Sequence, residues 1–218
     1  MSNVTLCLPF DFPPITCGLS PLGVTVARLW PTMPHSPAST PRERRLPKPI
    51  DAARLDELAL GYAARFAVSA AKLADYLRRK LRERGWAGDD DPPIAAIVER
   101  FVAAGYVDDA AYARAKTGSM LRRGLGARRV RQALDAAGIG EADRGEAAPG
   151  ERATRHAALA LARKRRLGPF GPPPVDRKAR EKQIAAMLRA GHPLDSARFL
   201  VDAAGIEVAE QWAEVAGE

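Results

Sequence analysis

Two adjacent aspartates, Asp108 and Asp109, are the residues of this chain whose types and spacing come closest to a reaction centre. They lie in the phrase GYVDDAAYARA, residues 105–115, of a 218-residue chain with a net charge of +8. Paired carboxylates can hold a cation or transfer a proton. They can also begin a helix, because carboxylate oxygens accept hydrogen bonds from its first N–H groups and acids favour its positive end. We predict the second role: Gly105 closes one helix, one of the two aspartates caps the next, and Tyr112 packs inward.

The other residues of catalytic type form no recognisable site. Asp89, Asp90 and Asp91 stand together, but two prolines follow and no further ligand comes at a fixed spacing. We predict that Asp91 caps the next helix, with Pro92 in its first turn. Phosphate-binding glycine loops and G-x-S-x-G nucleophile motifs are absent from the sequence, so we expect no enzyme, no cofactor and no metal. Histidine and cysteine are scattered without zinc-ligand spacing, as His35, His156, His192, Cys7 and Cys17.

Basic residues in three dense runs are the candidates for binding a partner. Arginine far outnumbers lysine in these runs, and its planar guanidinium group suits bidentate contacts to carboxylates or phosphates. An alternative is that these residues solvate the surface and offset the dipole at helix C-termini. Both interpretations stay open from the sequence. The candidates are Arg78, Arg79, Lys80, Arg82, Arg122, Arg123, Arg128, Arg129, Arg131, Arg163, Lys164, Arg165 and Arg166.

The charge of the whole chain predicts an acidic partner. A pI near 9.9 suits nucleic acids, anionic surfaces and proteins that handle nucleic acids. The net charge is zero over residues 51–107, +2 over 108–150, +8 over 151–192 and −5 over 193–218. No stretch approaches the ~18 consecutive apolar residues of a membrane span, and the start lacks the order of a signal peptide. We expect a cytoplasmic protein without a membrane or small-molecule partner.

The elements that must position these residues are helices. Residues 1–50 hold 10 of the 18 prolines, which predicts a disordered or extended segment. From Asp51 onward apolar residues recur at helical spacing, and no segment alternates with period two. The fold class is therefore all-α. Two of the patterns are Ile94, Ile97, Val98, Phe101 and Val102, and Val208, Trp212 and Val215.

Capping residues mark the helix boundaries. Ser69 is suited to cap the helix that begins AAKLADYL. Five glycines are each placed to close a helix, where a left-handed residue is common. They are Gly85, Gly105, Gly138, Gly191 and Gly205.

Three of these glycines expose a repeat. Gly85, Gly138 and Gly191 are 53 residues apart, and each has an apolar residue four positions earlier. We predict an elongated array of three tandem three-helix units that share apolar faces. The third helix of the middle unit must lie in the short polar phrase EADRGEAAPG. The predicted units are 51–107, 108–150 and 151–218, the last including an acidic C-terminal tail.

The same phrases resemble the RecX family of bacterial regulators of the RecA recombinase. The likeness covers residues ~51–204 and is strongest in ALGYAARFAVSAAKLADYLRRKLRERGW, IVERFVAAGYVDDAAYA and RRGLGARRVRQALDAAGI. It is weaker in the third unit, where only KQIAAMLRAGH and the following helix match. The residues that carry it are Gly105, Tyr106, Asp108, Asp109, Tyr112, Ala113, Gly124, Gly126 and Gly138.

The resemblance implies more than the residues alone. RecX-like proteins are all-α tandem three-helix repeats that bind within the helical groove of the RecA filament on DNA. They inhibit its ATPase and strand-exchange activities, and so regulate recombinational DNA repair and the SOS response. They carry no catalytic residue or cofactor. On this basis the expected partner is the RecA filament, with the single- or double-stranded DNA inside it as a second possible contact.

Two other functions stay open. Helices joined by short turns, as in residues 69–104, can resemble a helix-turn-helix, so the chain is also compatible with direct DNA binding independent of RecA. Against this, the first predicted unit is neutral, and the third lacks a polar helix rich in Asn or Gln. The remaining alternative is a helical scaffold for another protein.

Overall fold

The structure, a computed structural model, describes residues 48–215. Nearly all of the predicted extension 1–50 lies outside the described residues, together with His35 and both cysteines. The described range holds ten α-helices, and its only strand-like pairing is an isolated bridge between Ile50 and Trp86. The all-α prediction is confirmed. Within that range no helix has the length and apolar content to cross a membrane.

The helices follow one another through short connections. A single 3-10 turn, Gly168–Phe170, stands in the longest connection between them. The helices are α1 Ala52–Ala63, α2 Ala70–Arg84, α3 Ile94–Ala103, α4 Asp109–Arg122, α5 Ala127–Asp135, α6 Glu141–Glu146, α7 Glu151–Arg165, α8 Arg177–Arg189, α9 Leu194–Asp202 and α10 Ile206–Glu214.

Helices α1 to α3 enclose a first hydrophobic core. Side chains three to four positions apart point to one face of each helix, which brings the apolar rows together. Ile50 is fully buried here, and its N–H and C=O pair with Gly85 and Ala87, both at 3.0 Å. The first core therefore takes in the last residue of the segment for which we predict an extension. Its large buried side chains include Leu55, Leu73, Leu77, Ile97 and Phe101.

Helices α4 to α6 enclose a second core. The six residues of α6 lie in EADRGEAAPG, where the sequence predicts a helix. None of those six residues is buried, so Ala147, just after the helix, closes this side of the core. The other main contributors are Tyr112, Met120, Val130, Leu134 and Ile139.

Helices α7 to α10 enclose a third core that is rich in alanine. The acidic segment after residue 192 forms α9 and α10. The predicted apolar face of α10 is confirmed at Trp212, which packs against this core, and is wrong at Val208 and Val215, which are 43% and 68% exposed. Ala209 and Ala213 are buried instead, and their small side chains let α10 approach its neighbours closely. The core also holds Ala158, Leu161, Ala162, Met187 and Leu200.

The predicted helix boundaries are partly confirmed. Ser69 caps α2, since its hydroxyl oxygen accepts the Lys72 N–H. The prediction of a cap at Asp91 is wrong: α3 begins after Pro93 and has no side-chain cap. The physical reason is that Pro93 disfavours a helical conformation at the residue before it, Pro92.

The glycine predictions hold at four of five positions. Gly85, Gly105, Gly138 and Gly191 all have positive φ at the ends of helices. Gly205 was wrongly predicted to close a helix: its φ of −166° is extended, and it stands at the N-cap of α10.

Candidate partner-binding surface

The two aspartates of GYVDD are used for structure. Asp108 caps α4, because its carboxylate accepts the Ala111 N–H at 2.8 Å. Asp109 accepts the Ala70 N–H, also at 2.8 Å, at the start of α2. The neighbouring Tyr112 is buried in the second core, as predicted. Each aspartate therefore satisfies a backbone donor at the start of a different helix.

Asp109 belongs to a first joint, defined here as the contact of residues 69–72 with Asp109, Tyr112 and residues 137–138. The buried Ser69 hydroxyl donates to the Ala137 carbonyl at 2.6 Å, just past the end of α5. Lys72 donates to the Tyr112 hydroxyl at 2.5 Å and lies over its ring. The start of α2 thus rests on the end of α5.

A second joint connects the start of α5 to the end of α8; it consists of residues 124–129 and 188–192. The Gly126 N–H donates to the Ala190 carbonyl at 2.9 Å, and the Arg128 N–H donates to the Gly191 carbonyl at 3.3 Å. The start of a helix has unpaired N–H groups and its end has unpaired carbonyls, so two such ends satisfy each other. The first joint differs, because the Ser69 hydroxyl donates to the carbonyl at the end of α5 while the Ala70 N–H bonds to Asp109.

Two candidate partner-binding arginines are part of the second joint. The Arg128 guanidinium donates to the Leu188 carbonyl, and the Arg129 Nε donates to the Arg189 carbonyl at 2.9 Å. They act as cross-chain caps on the C-terminal carbonyls of α8. Part of each guanidinium group is therefore engaged within the chain, while both side chains reach the surface.

Glycines allow the second joint to close. A Cβ atom at Gly126 would lie within 2.6 Å of three backbone atoms of Gly191 and His192. Gly191 has φ +96°, which residues with a side chain rarely adopt. A Cβ there would lie 2.6 Å from the backbone nitrogen of Arg129. Gly124 approaches Leu161 of α7 in the same way, with a Cβ distance of 3.0 Å.

His192 is the buried titratable group of this joint. Its side chain is only 3% exposed, and Nε2 lies 2.9 Å from the Gly124 carbonyl. The other ring nitrogen, Nδ1, is buried without a hydrogen-bond partner in the described structure. Burial lowers the pKa of His192, and the hydrogen bond to Gly124 opposes this shift only in part. The imidazole is therefore neutral near neutral pH, with Nε2 donating.

Several other candidates bond to neighbouring groups of the chain. Arg163 of α7 forms an ion pair with Glu210 of α10, while Arg123 donates to the main-chain carbonyl of Ser119. Exposed pairs of this kind contribute about 0–1 kcal/mol and exchange readily with a partner. On α2 the pairs are Arg78 with Asp75, Arg79 with Glu83 and Lys80 with Glu83.

The remaining candidates have no acidic partner among the described residues, and all are exposed. They come from all three predicted runs, so each of the three cores presents at least one uncompensated cation. They are Arg82 on α2, Arg122 on α4, Arg131 on α5, Lys164 and Arg165 on α7, and Arg166 just after it.

A cleft beside the second joint was not anticipated from the sequence. It has a volume of about 760 Å³ and lies between α5 and α6 on one side and the α8–α9 turn on the other. Arg131 lines it, whereas the other unpaired cations do not. Only the apposition of residues distant in the chain creates this space, so no local motif could have indicated it.

Comparison with known proteins agrees with this arrangement. A family profile described as the second three-helix domain of RecX matches residues 108–147, which contain α4 to α6. Regulatory protein RecX of Myxococcus xanthus (strain DK1622) is 30% identical over 170 residues, covering 74% of this chain and 91% of the relative.

Solved structures show the same fold. The crystal structure of RecX from Lactobacillus salivarius matches with a TM-score of 0.53 and 16% identity, over 75% of this chain and 97% of that one. A second, a crystal structure of regulatory protein RecX, matches with a TM-score of 0.53 and 22% identity, over 69% and 71% of the two chains.

The helices, the three cores and the two joints thus define an all-α protein that carries exposed cations beside each core. The sequence similarity is specific enough to go further. The chain belongs to the RecX family of regulatory proteins.

Proposed function

We propose that this protein binds the RecA filament on DNA and inhibits its ATP hydrolysis and strand exchange. In this way it regulates recombinational DNA repair and the SOS response. Membership of the RecX family carries the proposal. The protein acts by occupying the filament, so it needs no catalytic residue or cofactor of its own, and it acts in the cytoplasm.

The distribution of free charge supports this role. Uncompensated cations on all three cores are available to carboxylates of a protein surface or to phosphates of a bound strand. Because Arg128 and Arg129 already cap α8, we assign the contact to the unpaired group instead: Arg82, Arg122, Arg131, Lys164, Arg165 and Arg166. The predicted division into three units, 51–107, 108–150 and 151–218, remains part of this proposal.

The direct test is RecA-dependent ATP hydrolysis on single-stranded DNA, with the full chain titrated in. We expect hydrolysis to fall at micromolar or lower concentrations. Hydrolysis that stays constant throughout this range would refute the proposal. Tight binding of duplex DNA without RecA, falling steeply with salt, would favour the DNA-binding alternative.

A charge reversal then tests the assigned contact. Arg131→Glu should raise the concentration needed for half-inhibition at least fivefold, because it places an acid where an acidic partner is expected. Arg114→Glu is the matched control: it makes the same change on an exposed helical arginine that lies outside the three runs and, like Arg131, has no acidic partner among the described residues, and it should shift that concentration less than twofold. Equal effects of the two changes would show that only net charge matters.

A further inference from the structure

The cleft beside the second joint has walls of two kinds. Its inner surface is aliphatic, with Val130 and Leu134 from α5 and Leu188 from the last turn of α8. Leu194, at the start of α9, is 40% exposed at the outer edge. A concave apolar surface of this size is typical of a ligand site.

The rim of the cleft is cationic, with three arginines and one acid. Arg144 forms an ion pair with Asp135, and Arg128 donates to the Leu188 carbonyl. Arg131 is the remaining arginine, exposed and without an acidic partner in the described residues. The acid on the rim, Glu141, forms no ion pair with a described residue. A ligand therefore meets aliphatic walls, the unengaged guanidinium group of Arg131, the remaining N–H groups of Arg128 and one unpaired carboxylate, that of Glu141, so the rim keeps a net positive charge.

The chemistry of the walls selects the class of ligand. Unpaired nucleobases bind by stacking on aromatic side chains. The one aromatic ring among the described residues lining this cleft is the His192 imidazole, and at 3% exposure it offers no face for a base to stack on. A protein segment fits better, because a branched aliphatic side chain fills the apolar floor while a neighbouring carboxylate reaches Arg131.

We infer that this cleft is a docking site for a short protein segment that combines an aliphatic anchor with an adjacent acidic residue. Leucine or isoleucine contacts Leu188 and Leu194, and the carboxylate forms a bidentate pair with Arg131. The inference concerns a site and a ligand chemistry that do not depend on the identity of the filament, and it is tested without RecA.

The test is fluorescence anisotropy with labelled hexapeptides and the full chain. The first peptide contains four glutamates and two leucines. A second replaces the glutamates by lysine, and a third replaces the leucines by serine. We expect the first peptide to bind at least tenfold more tightly than either of the others. Equal affinities for the three peptides would overturn the inference.

Variants locate the binding. Arg131→Gln and Leu194→Ser should each weaken binding of the first peptide at least threefold, with circular dichroism confirming intact helices. Arg114→Gln is the matched control, because Arg114 is an exposed arginine on α4 that lies outside the cleft and the three runs and has no acidic partner among the described residues; it should leave binding unchanged. Weakening by Arg114→Gln equal to that by Arg131→Gln would contradict the assignment.

A labelled single-stranded oligonucleotide provides the competing ligand class. If it binds more tightly than the acidic peptide, and Arg131→Gln weakens it, then the cleft is a nucleic-acid site and the inference is wrong. Peptide binding without inhibition of RecA would preserve the cleft and refute the proposed function. Inhibition of RecA without peptide binding would preserve the proposed function and refute the docking site in the cleft.

Discussion

Asp109 stands in the first turn of α4, yet its carboxylate bonds to the start of α2. At the scale of single residues, this separates two acids that look equivalent in the sequence. Asp108 acts within its own helix, whereas Asp109 acts between helices. Both roles satisfy N–H groups that a helix start leaves unpaired, so the pair stabilises the fold without requiring a cation.

Single substitutions should separate the two roles. Asp108→Ala removes a side-chain cap and should lower the free energy of unfolding by about 1 kcal/mol. Asp109→Ala leaves the part-buried Ala70 N–H unpaired and should cost about 1–3 kcal/mol. Urea unfolding followed by circular dichroism measures both. Asp89→Ala, in an exposed loop, is the control and should change stability by no more than about 0.5 kcal/mol. Losses no larger than that of the control would contradict both roles.

His192 should make stability depend on pH. An unfolded histidine takes up a proton near pH 6.5, whereas burial lowers the pKa of His192 in the folded protein. Between these two values the unfolded chain binds more protons, so stability should fall as the pH drops below about 6.5. The measurement is the melting temperature at pH 7.5 and 5.5. His192→Gln keeps a donor for the Gly124 carbonyl but does not titrate. The melting temperature of this variant should therefore fall less between pH 7.5 and 5.5 than that of the wild type. Identical falls in the two proteins would rule out His192 as the cause.

At the scale of elements, three helices meet end to end. The start of α2 rests on the end of α5, and the start of α5 rests on the end of α8. These are the helices whose closing glycines, Gly85, Gly138 and Gly191, are 53 residues apart. Gly138 serves the first joint as Gly191 serves the second: a Cβ on Gly138 would overlap the Ala71 Cβ.

The second joint should be sensitive to a single methyl group. Gly126→Ala forces a Cβ against the backbone of Gly191 and His192, and should lower the free energy of unfolding by at least ~2 kcal/mol through overpacking. Gly140→Ala is a matched control, because Gly140 is also a helix N-cap with negative φ but has open space around it. Both substitutions replace a glycine N-cap by alanine. The difference between their losses in unfolding free energy therefore measures the effect of the close backbone approach at Gly126. Hydrogen exchange should locate the extra loss in α5 and α8, and equal losses for both variants would contradict the close approach.

Sequence patterns predicted the elements better than their contacts. Apolar spacing and caps such as Ser69 identified helices because those signals are local. The predictions at Asp91 and Gly205 were wrong. Pro93 sets the start of α3, and α9 already ends at Asp202, before Gly205. No sequence pattern indicated the hydrogen bonds of Arg128 and Arg129, because their acceptors are main-chain carbonyls, which every residue has. The cleft was unpredictable for the same reason: it exists only once the second joint has formed.

At the scale of the whole molecule, pairing redistributes the charge that the sequence counts. The segment 151–192 has a net charge of +8, but acids from the following segment lie against it. Arg180 contacts Asp202, and the hydrogen bond from Arg180 lowers the pKa of that carboxyl. The surface around the third core is therefore less cationic than its sequence indicates. Arginines and lysines without an acidic partner lie beside all three cores. Arg152 and Arg163 likewise contact Glu214 and Glu210.

The end-to-end joints also bear on how such a protein tolerates change. The acceptors at Ala137, Leu188, Arg189 and Ala190 are backbone carbonyls, so one side of each joint is recognised by its shape as a helix end. Any helix that ends in a glycine at the right place offers the same surface. The acceptor side of each joint can therefore vary in side-chain sequence as long as its helix ends at the same place. The donor side is constrained, because Ser69, Arg128 and Arg129 supply the side-chain hydrogen bonds.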